Sequence, residues 1–306
     1  MSKLLTIFTP TYNRADLLAR LYKSLREQSN FNFLWMVIDD GSTDQTEEVV
    51  GQWARECTDF EIQYYKKENG GLQSGYVEAI KHLTTELAMC IDSDDCAVPN
   101  AVEQIEAAWN KCDHKRYAGL FGLDCYDNGK ILGGLFPEGQ EAINLIDLQI
   151  GKQVRSESDR ALVVRADLYK AAKPAKRYPG ERTMNATYLH LQISENYDFF
   201  ILNAPLISVN YQPDGLTKGK LKHFKTAPNT YADWRLYMLT LKGAPFKFYL
   251  RHAIHYVSCC IFAKRAVFVK ECRHKGIVFL ALPFGVALNL YLRWKNRKCL
   301  HNNSCY

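Results

Sequence analysis

Between residues 4 and 109 an apolar run of strand length ends four times in a short polar loop and continues into a helical period. This alternation restricts the chain to an α/β layer architecture built on a largely parallel sheet with right-handed crossovers. Residues 4–8 lead through Thr9-Pro10-Thr11-Tyr12-Asn13-Arg14 into a helix with Leu17, Leu18, Leu21 and Leu25 on one face. Residues 33–38 lead through Asp39-Asp40-Gly41-Ser42-Thr43-Asp44 into a helix marked by Val49, Val50 and Trp53, with Asp44 and Glu47 spaced as a capping pair. Residues 61–66 pass through Glu68-Asn69-Gly70-Gly71 to a helix with Leu72, Ala79, Ile80 and Leu83. Met89-Cys90-Ile91 runs into Asp92-Ser93-Asp94-Asp95, ahead of a helix beginning near Pro99 with Val102, Ile105 and Trp109 inward.

In such a sheet the four loops gather at the carboxyl edge, where ligands of open α/β folds sit. The acid cluster is the sharpest chemical signal. If the chain stays extended from Asp92 to Asp94, both carboxylates point the same way and suit one hard cation such as Mg2+ or Mn2+. Taken singly, each loop also reads as an ordinary turn or helix cap.

After residue 118 the rhythm changes. Residues 120–126 and 131–136 flank Asp127-Asn128-Gly129, which predicts a hairpin, and residues 161–165 and 199–212 are further strand candidates with a helix between. The expected fold is α/β: a Rossmann-like, mostly parallel or mixed sheet flanked by helices, with a basic helical appendage at the C-terminus. The expected domains are 1–215, in two halves (1–117 and 118–215), and a basic amphipathic region, 216–306.

Charge separates these parts sharply. Residues 1–215 carry 22 Lys and Arg against 31 Asp and Glu, whereas residues 216–306 carry 17 against 2, within a net charge of +6 for all 306 residues. The first part suits a cation and the second an anionic surface. The ten cysteines form no CxxC pair, and Cys259-Cys260 are neighbours, which fits reduced thiols better than a disulfide framework or a zinc site. Met1-Ser2-Lys3 leads directly into the first strand, so no signal peptide is read there and a cytoplasmic location is expected.

Taken together and in this order, Thr9-Pro-Thr-Tyr-Asn-Arg14, Asp39-Asp-Gly-Ser-Thr-Asp44, Glu68-Asn-Gly-Gly71 and Asp92-Ser-Asp-Asp95 resemble the bacterial family 2 glycosyltransferases with their A-type nucleotide-sugar-binding fold. The resemblance covers about residues 4–215. It implies an inverting, metal-dependent enzyme that moves a sugar from a nucleoside diphosphate donor, a UDP-sugar, to an acceptor hydroxyl in cell-surface polysaccharide synthesis. It also implies roles for single residues. Thr9, Pro10, Tyr12 and Arg14 would belong to the nucleotide-sugar site, with Pro10 and Tyr12 lining the nucleoside pocket, and Asp39 or Asp40 would accept a hydrogen bond from the base. Gly70 and Gly71 would let backbone approach phosphate or sugar. Asp92, with Ser93 beside it, would lie near ribose and metal, and Asp94 would be the main metal ligand. Glu181, in Pro179-Gly180-Glu181-Arg182, would be the catalytic base, although relatives often carry a second acid where Arg182 stands. Leu72 and Gln73 replace the Lys and His that relatives place after the glycines.

The tail poses a different physical problem. Lys218, Lys220, Lys222 and Lys225 form a cationic stretch. Leu250, Ile254, Val257, Ile261 and Phe268 recur at helical spacing among Lys247, Arg251, Lys264 and Arg265, and His252 and His255 are read as surface residues. Residues 277–292 are apolar, interrupted by Pro283 and Gly285, and short for a bilayer span. A re-entrant or in-plane helix at the inner face of the cytoplasmic membrane is expected, where a glycan or lipid-linked acceptor would be met. Nucleic acid is not an expected partner, because long aliphatic runs serve no purpose there. The alternatives are a sugar nucleotidyltransferase, which the glycine-free loop 9–14 disfavours, and a non-catalytic membrane or nucleic-acid adaptor.

Overall fold

The computed structural model describes residues 3–153, 160–182, 186–210, 224–266 and 268–301, with side chains as far as residue 295. The chain divides into two compact units, Met1–Pro174 with Asn185–Tyr211, and Ala175–Met184 with Gln212–Tyr306. The second unit thus takes a ten-residue excursion from inside the stretch that the sequence assigned to the first domain.

The first unit is a mixed α/β sandwich around one nine-stranded sheet. Its strands are β1 (Leu5–Thr11), β2 (Phe33–Asp39), β3 (Glu61–Lys66), β4 (Leu87–Cys90), β5 (Cys96–Ala97), β6 (Tyr117–Cys125), β7 (Ala142–Ile143), β8 (Leu162–Arg165) and β9 (Asp198–Ser208). They run in the order β3-β2-β1-β4-β8-β6-β9-β5, with β7 on β9. β3, β2, β1 and β4 pair in parallel, Leu5 facing Phe33 and Leu87, and Leu34 facing Glu61. β8 enters antiparallel between β4 and β6. The backbone at Gly119 explains how β6 and β8 approach so closely. With φ at 149°, a Cβ there would meet the Val163 carbonyl oxygen at 1.9 Å.

Period-two alternation sends Leu5, Ile7, Phe33, Trp35, Val37, Leu87 and Met89 to one face. There α1 (Ala15–Arg26), α2 (Thr46–Glu56) and α4 (Ala101–Trp109) cover them. Tyr22 of α1 stacks on Trp53 of α2 at 4.5 Å and on Trp35 at 6.0 Å. On the other face Phe8 meets Tyr76 of α3 (Leu72–His82) and Tyr169 of α6 (Ala166–Ala171) edge-on. The Tyr169 hydroxyl is 2.8 Å from Nε2 of His190, on α7 (Thr187–Ile193). The short α5 spans Leu145–Ile150.

The expected hairpin is only begun. Gly129 closes the turn by donating to the Tyr126 carbonyl, but residues 131–136 contribute a single bridge, Cys125 to Ile131. Gly133 and Gly134, at φ 64° and 82°, then lead the chain away from β6.

The second unit is helical: α8 (Pro228–Met238), α9 (Phe246–Phe262), α10 (Phe268–Glu271) and α11 (Lys275–His301). The stripe read from Leu250 to Phe268 is not one helix, because Lys264 adopts a left-handed φ of 55° and ends α9. His252 is buried rather than on the surface, and its Nδ1 takes an Arg235 hydrogen bond at 3.1 Å. Pro283 does not interrupt α11. It stands on the exposed side, while Gly285 packs so tightly that a Cβ would lie 2.5 Å from Val257. By length and composition alone, Lys275–Lys295 is long and apolar enough to cross a membrane. Lys218, Lys220 and Lys222 lie outside the described residues.

Burial lowers His190 to about 4 from an ordinary 6.5. A histidine held neutral in the fold contributes fully above its unfolded pKa. The unfolded chain binds the extra proton as pH falls, so stability declines between about pH 6.5 and 4, by up to about 3 kcal/mol. His190→Gln is expected to flatten that decline in denaturant midpoints measured from pH 7 to 5. An unchanged slope would contradict the assignment.

Candidate active site

The carboxyl ends of β3, β2, β1 and β4 stand side by side, and main-chain bonds join their first loop residues. Asp40 N–H donates to the Thr11 carbonyl at 2.9 Å, Lys67 N–H to Asp39 at 2.9 Å, and Ile91 N–H to Phe8 at 3.1 Å. Above this line side chains knit loop to loop. Asn13 holds a left-handed φ of 51°, which lets its N–H donate to Ser42 Oγ (2.9 Å) while its Oδ1 accepts from Thr43 N–H (2.8 Å). Asp44 accepts from Ala15 N–H at 3.2 Å. Partial burial by itself would raise the Asp44 carboxyl, but hydrogen bonds from Thr46 and from the Ala15 and Thr46 amides hold it below its ordinary value.

The two neighbouring acids of the second loop do different work. Asp39 is fully buried: Oδ1 accepts from Ser42 N–H at 2.7 Å and Oδ2 from the Tyr64 hydroxyl. Burial, reinforced by the Asp39 charge, pushes the Tyr64 hydroxyl well up. Asp40 reaches across to the third loop, accepting from Lys67 Nζ (2.6 Å), Gly70 N–H (2.9 Å), Gly71 N–H (2.7 Å) and Ser74 Oγ (3.2 Å). Gly41 allows that approach, since a Cβ there would sit 3.1 Å from the Lys67 carbonyl at a φ of 85°. The glycine amides that the sequence assigned to phosphate or sugar therefore point at a carboxylate.

The fourth loop does not stay extended. β4 stops at Cys90, and Asp95 N–H donates to the Asp92 carbonyl at 3.0 Å, closing a turn over Asp92 to Asp95. Strand alternation thus does not align Asp92 with Asp94. Asp92 is exposed; Asp94 is partly buried and pairs with Arg14 at 3.2 Å. The same guanidinium nitrogen donates to Ser93 Oγ at 3.3 Å, tying the first loop to the acid turn. Asp95 accepts from Asn210 N–H at 2.9 Å, at the end of the chain segment leaving β9. Among the described residues no group of three or more His, Cys, Asp or Glu converges to hold a metal. Asp92 and Asp94 still fit Mg2+ or Mn2+, which take one or two hard carboxylates and complete their shell with phosphate oxygens and water.

The first loop divides between core and surface. Thr9 is buried with its hydroxyl accepting from Trp35 Nε1 at 3.0 Å, and Pro10 is buried against Gly75, where a Cβ would come within 2.9 Å. Tyr12 is 47% exposed. Thr11 Oγ is buried without a hydrogen-bond partner at the strand end between them.

Glu181 belongs to the second unit. Its Oε1 accepts from Asn229 N–H (3.0 Å) and Nδ2 (2.9 Å), and its Oε2 from Thr230 N–H and Oγ1 (both 2.7 Å). These are the first residues of α8, whose own cap position, Ala227, has no side-chain acceptor. Glu181 therefore serves as a helix cap supplied from a distant segment. Arg265 holds the same junction, donating to Asn229 Oδ1 (3.0 Å), Asp233 Oδ1 (2.8 Å) and the Tyr178 hydroxyl (2.9 Å).

Sequence reasoning missed Asn13, Asp44, Lys67 and Ser74 as the residues that fasten the loops. Only the Asp44 spacing gave a signal, and that signal pointed to a cap. Asp40→Ala leaves the Lys67 ammonium and two amides without their acceptor and should lower the stability of the first unit by about 2–4 kcal/mol. Urea denaturation checks this; a loss below about 0.5 kcal/mol would contradict the role.

Residues 6–129 match the family model described as Glycosyl transferase family 2. An uncharacterized glycosyltransferase, RT0329 of Rickettsia typhi, is 31% identical over 126 residues, covering 41% of this chain and 38% of its own length. Glycosyltransferase GlyA of Streptococcus pneumoniae is 28% identical over 101 residues, 33% of this chain and 14% of its own. The chain thus spans well under half the length of these curated relatives. Among solved structures, S. aureus TarS 1–349 in complex with UDP-GlcNAc shares the fold at a TM-score of 0.54 and 16% identity, covering 92% of this chain and 80% of that one. The loops described above fall within the matched residues, and the chain carries a glycosyltransferase domain of family 2.

Proposed function

We propose that this chain is an inverting glycosyltransferase that moves a sugar from a UDP-sugar to an acceptor hydroxyl in cell-surface polysaccharide synthesis, working at the inner face of the cytoplasmic membrane. The observation that carries this reading is the convergence of four polar loops on one sheet edge, with Arg14 bridging the first loop to the acid turn at Asp94. The UDP-GlcNAc bound by the similarly folded TarS supports a nucleotide-sugar donor.

The chemistry follows from charge. As the acceptor oxygen attacks the anomeric carbon, the bond to the diphosphate breaks and negative charge grows on the departing group. Asp92 and Asp94 are the residues that would hold Mg2+ or Mn2+, which supplies Lewis-acid stabilisation of that group. Arg14 stands beside them as a fixed cation. Tyr12 offers an exposed ring for the base to stack on. Asp39 or Asp40 would accept from the base, each adding one acceptor bond to oxygens that already hold the loops, as a carboxylate's four lone-pair sites permit. Glu181 would take the acceptor proton, exchanging one of its four cap hydrogen bonds for it. The same four bonds support a purely structural role, so transfer by the Gln variant separates the two.

Asp94→Ala is expected to keep the fold and lose donor turnover by at least about 100-fold, in the range of other charge-stabilising groups; undiminished turnover would remove its proposed role. Glu181→Gln is expected to retain nucleotide binding and lose transfer. Full transfer in that variant would assign Glu181 to capping alone.

A further inference from the structure

We propose that the exposed side of α11 is the docking face of the helical unit for an anionic lipid surface, lying in the plane of the headgroups rather than crossing the bilayer. This deepens the membrane placement given above and rests on it.

The outward side of α11 lacks the charge that a water-facing helix carries. The side of α11 packed on α9 buries Val278, Ala281 and Leu292, but also a polar residue, Asn289, which donates to the Ser258 carbonyl at 3.0 Å and accepts from Arg293 at 2.7 Å. The outward side carries Phe279, Leu280, Phe284, Val286, Leu290 and Trp294, with Phe279 at 60% and Leu290 at 62% exposure. No Asp, Glu, Lys or Arg occurs between Lys275 and Arg293. A helix in water turns its charges out and its apolar residues in; here the outward side is as apolar as the packed one over more than four turns.

Charge frames the same face. Exposed Arg273 and Lys275 stand at one end of the apolar face, and exposed Arg293 and Lys295 at the other. The acids of residues 216–306 are Asp233 and Glu271, and both pair with Arg265, at 2.8 Å and 3.6 Å. The cations that frame the face are therefore not compensated from within their own segment. A second copy of the chain would bring a like-charged frame against this one, whereas a plane of anionic headgroups complements it.

The attachment of α11 to α9 sets its orientation. The uncharged stretch of α11 rises about 26 Å at 1.5 Å per residue, within a few Å of the roughly 30 Å of a hydrocarbon core, so attachment rather than length decides between crossing and lying in plane. Its other side is bound to α9, which carries exposed Lys247 and Arg251. Crossing the bilayer would draw α9 in as well, with His255 and Ser258 alongside the apolar stretch, since Val257 meets Gly285 and the Ser258 carbonyl meets Asn289. Lying in plane keeps α9 out of the hydrocarbon and buries only the apolar side of α11.

The test is flotation of the full chain with vesicles of phosphatidylcholine alone and of phosphatidylcholine mixed with phosphatidylglycerol, at low and high salt. We expect binding to the mixed vesicles, at least about tenfold weaker on neutral ones and weakened by salt. Phe279→Asp with Phe284→Asp should reduce binding at least about tenfold with an unchanged melting temperature, and Arg273→Glu with Lys275→Glu should abolish the preference for anionic lipid. Absence of flotation, or undiminished binding by the Asp variants, would overturn the proposal. So would a dimer in light scattering that the Asp variants dissolve, since the face would then belong to a second copy. Stabilisation by UDP, followed in the same samples, reports on the glycosyltransferase reading separately: vesicle binding without any nucleotide response would sink that reading and leave this one standing.

Discussion

The carboxylate of Asp40 is the interaction on which the site depends. It stands at the end of a buried parallel strand and gathers the Lys67 ammonium, two consecutive glycine amides and the Ser74 hydroxyl, drawing the third loop against the second. Oriented amides and a lysine would make a good phosphate cradle. Here a side chain occupies it, and the loops are preorganised before any ligand arrives. The buried Asp39 does the same within its own loop through Ser42 and Tyr64. Both acids thus hold the architecture, and around them the Tyr12 ring and Asp92 are exposed, with the Arg14–Asp94 pair partly so.

The helical unit uses the same device with a different result. Glu181 supplies the helix cap that Ala227 lacks, and Arg265 joins Tyr178, Asn229 and Asp233. An internal segment of the chain is thereby held by the C-terminal helices. Removing those helices would also remove the anchorage of the segment that carries Glu181, so truncation would disturb more than attachment.

Much of the first half was legible in the sequence because its signals are local. Strand runs, helical periods and Asp- or Gly-rich loops fixed β1 to β4 and their order of appearance. Where the reading failed, the deciding contact came from far along the chain or from backbone dihedrals. Asp92 and Asp94 were aligned on paper by extending β4, whereas the turn closed by Asp95 ends the strand alternation on which that rested. The hairpin turn at Asp127-Asn128-Gly129 formed, but Gly133 and Gly134 took its second strand away. Gly70 and Gly71 were read as open to ligand because Asp40 lies 30 residues earlier in the chain. His252 looked like a surface residue among cations until Arg235, from another helix, enclosed it. A helix that hides its polar residue and shows its apolar ones cannot be told by periodicity from an ordinary packed one, since both give the same spacing.

The central claim is that the edge formed by Tyr12, Arg14, Asp92 and Asp94 receives a nucleoside diphosphate with a divalent cation. Thermal stabilisation of the full chain by a panel of nucleoside diphosphates, each with and without Mn2+, tests it most directly. The account predicts that UDP raises the melting temperature most and that Mn2+ enlarges the effect. A melting temperature unmoved by every nucleotide, with or without the metal, would contradict it.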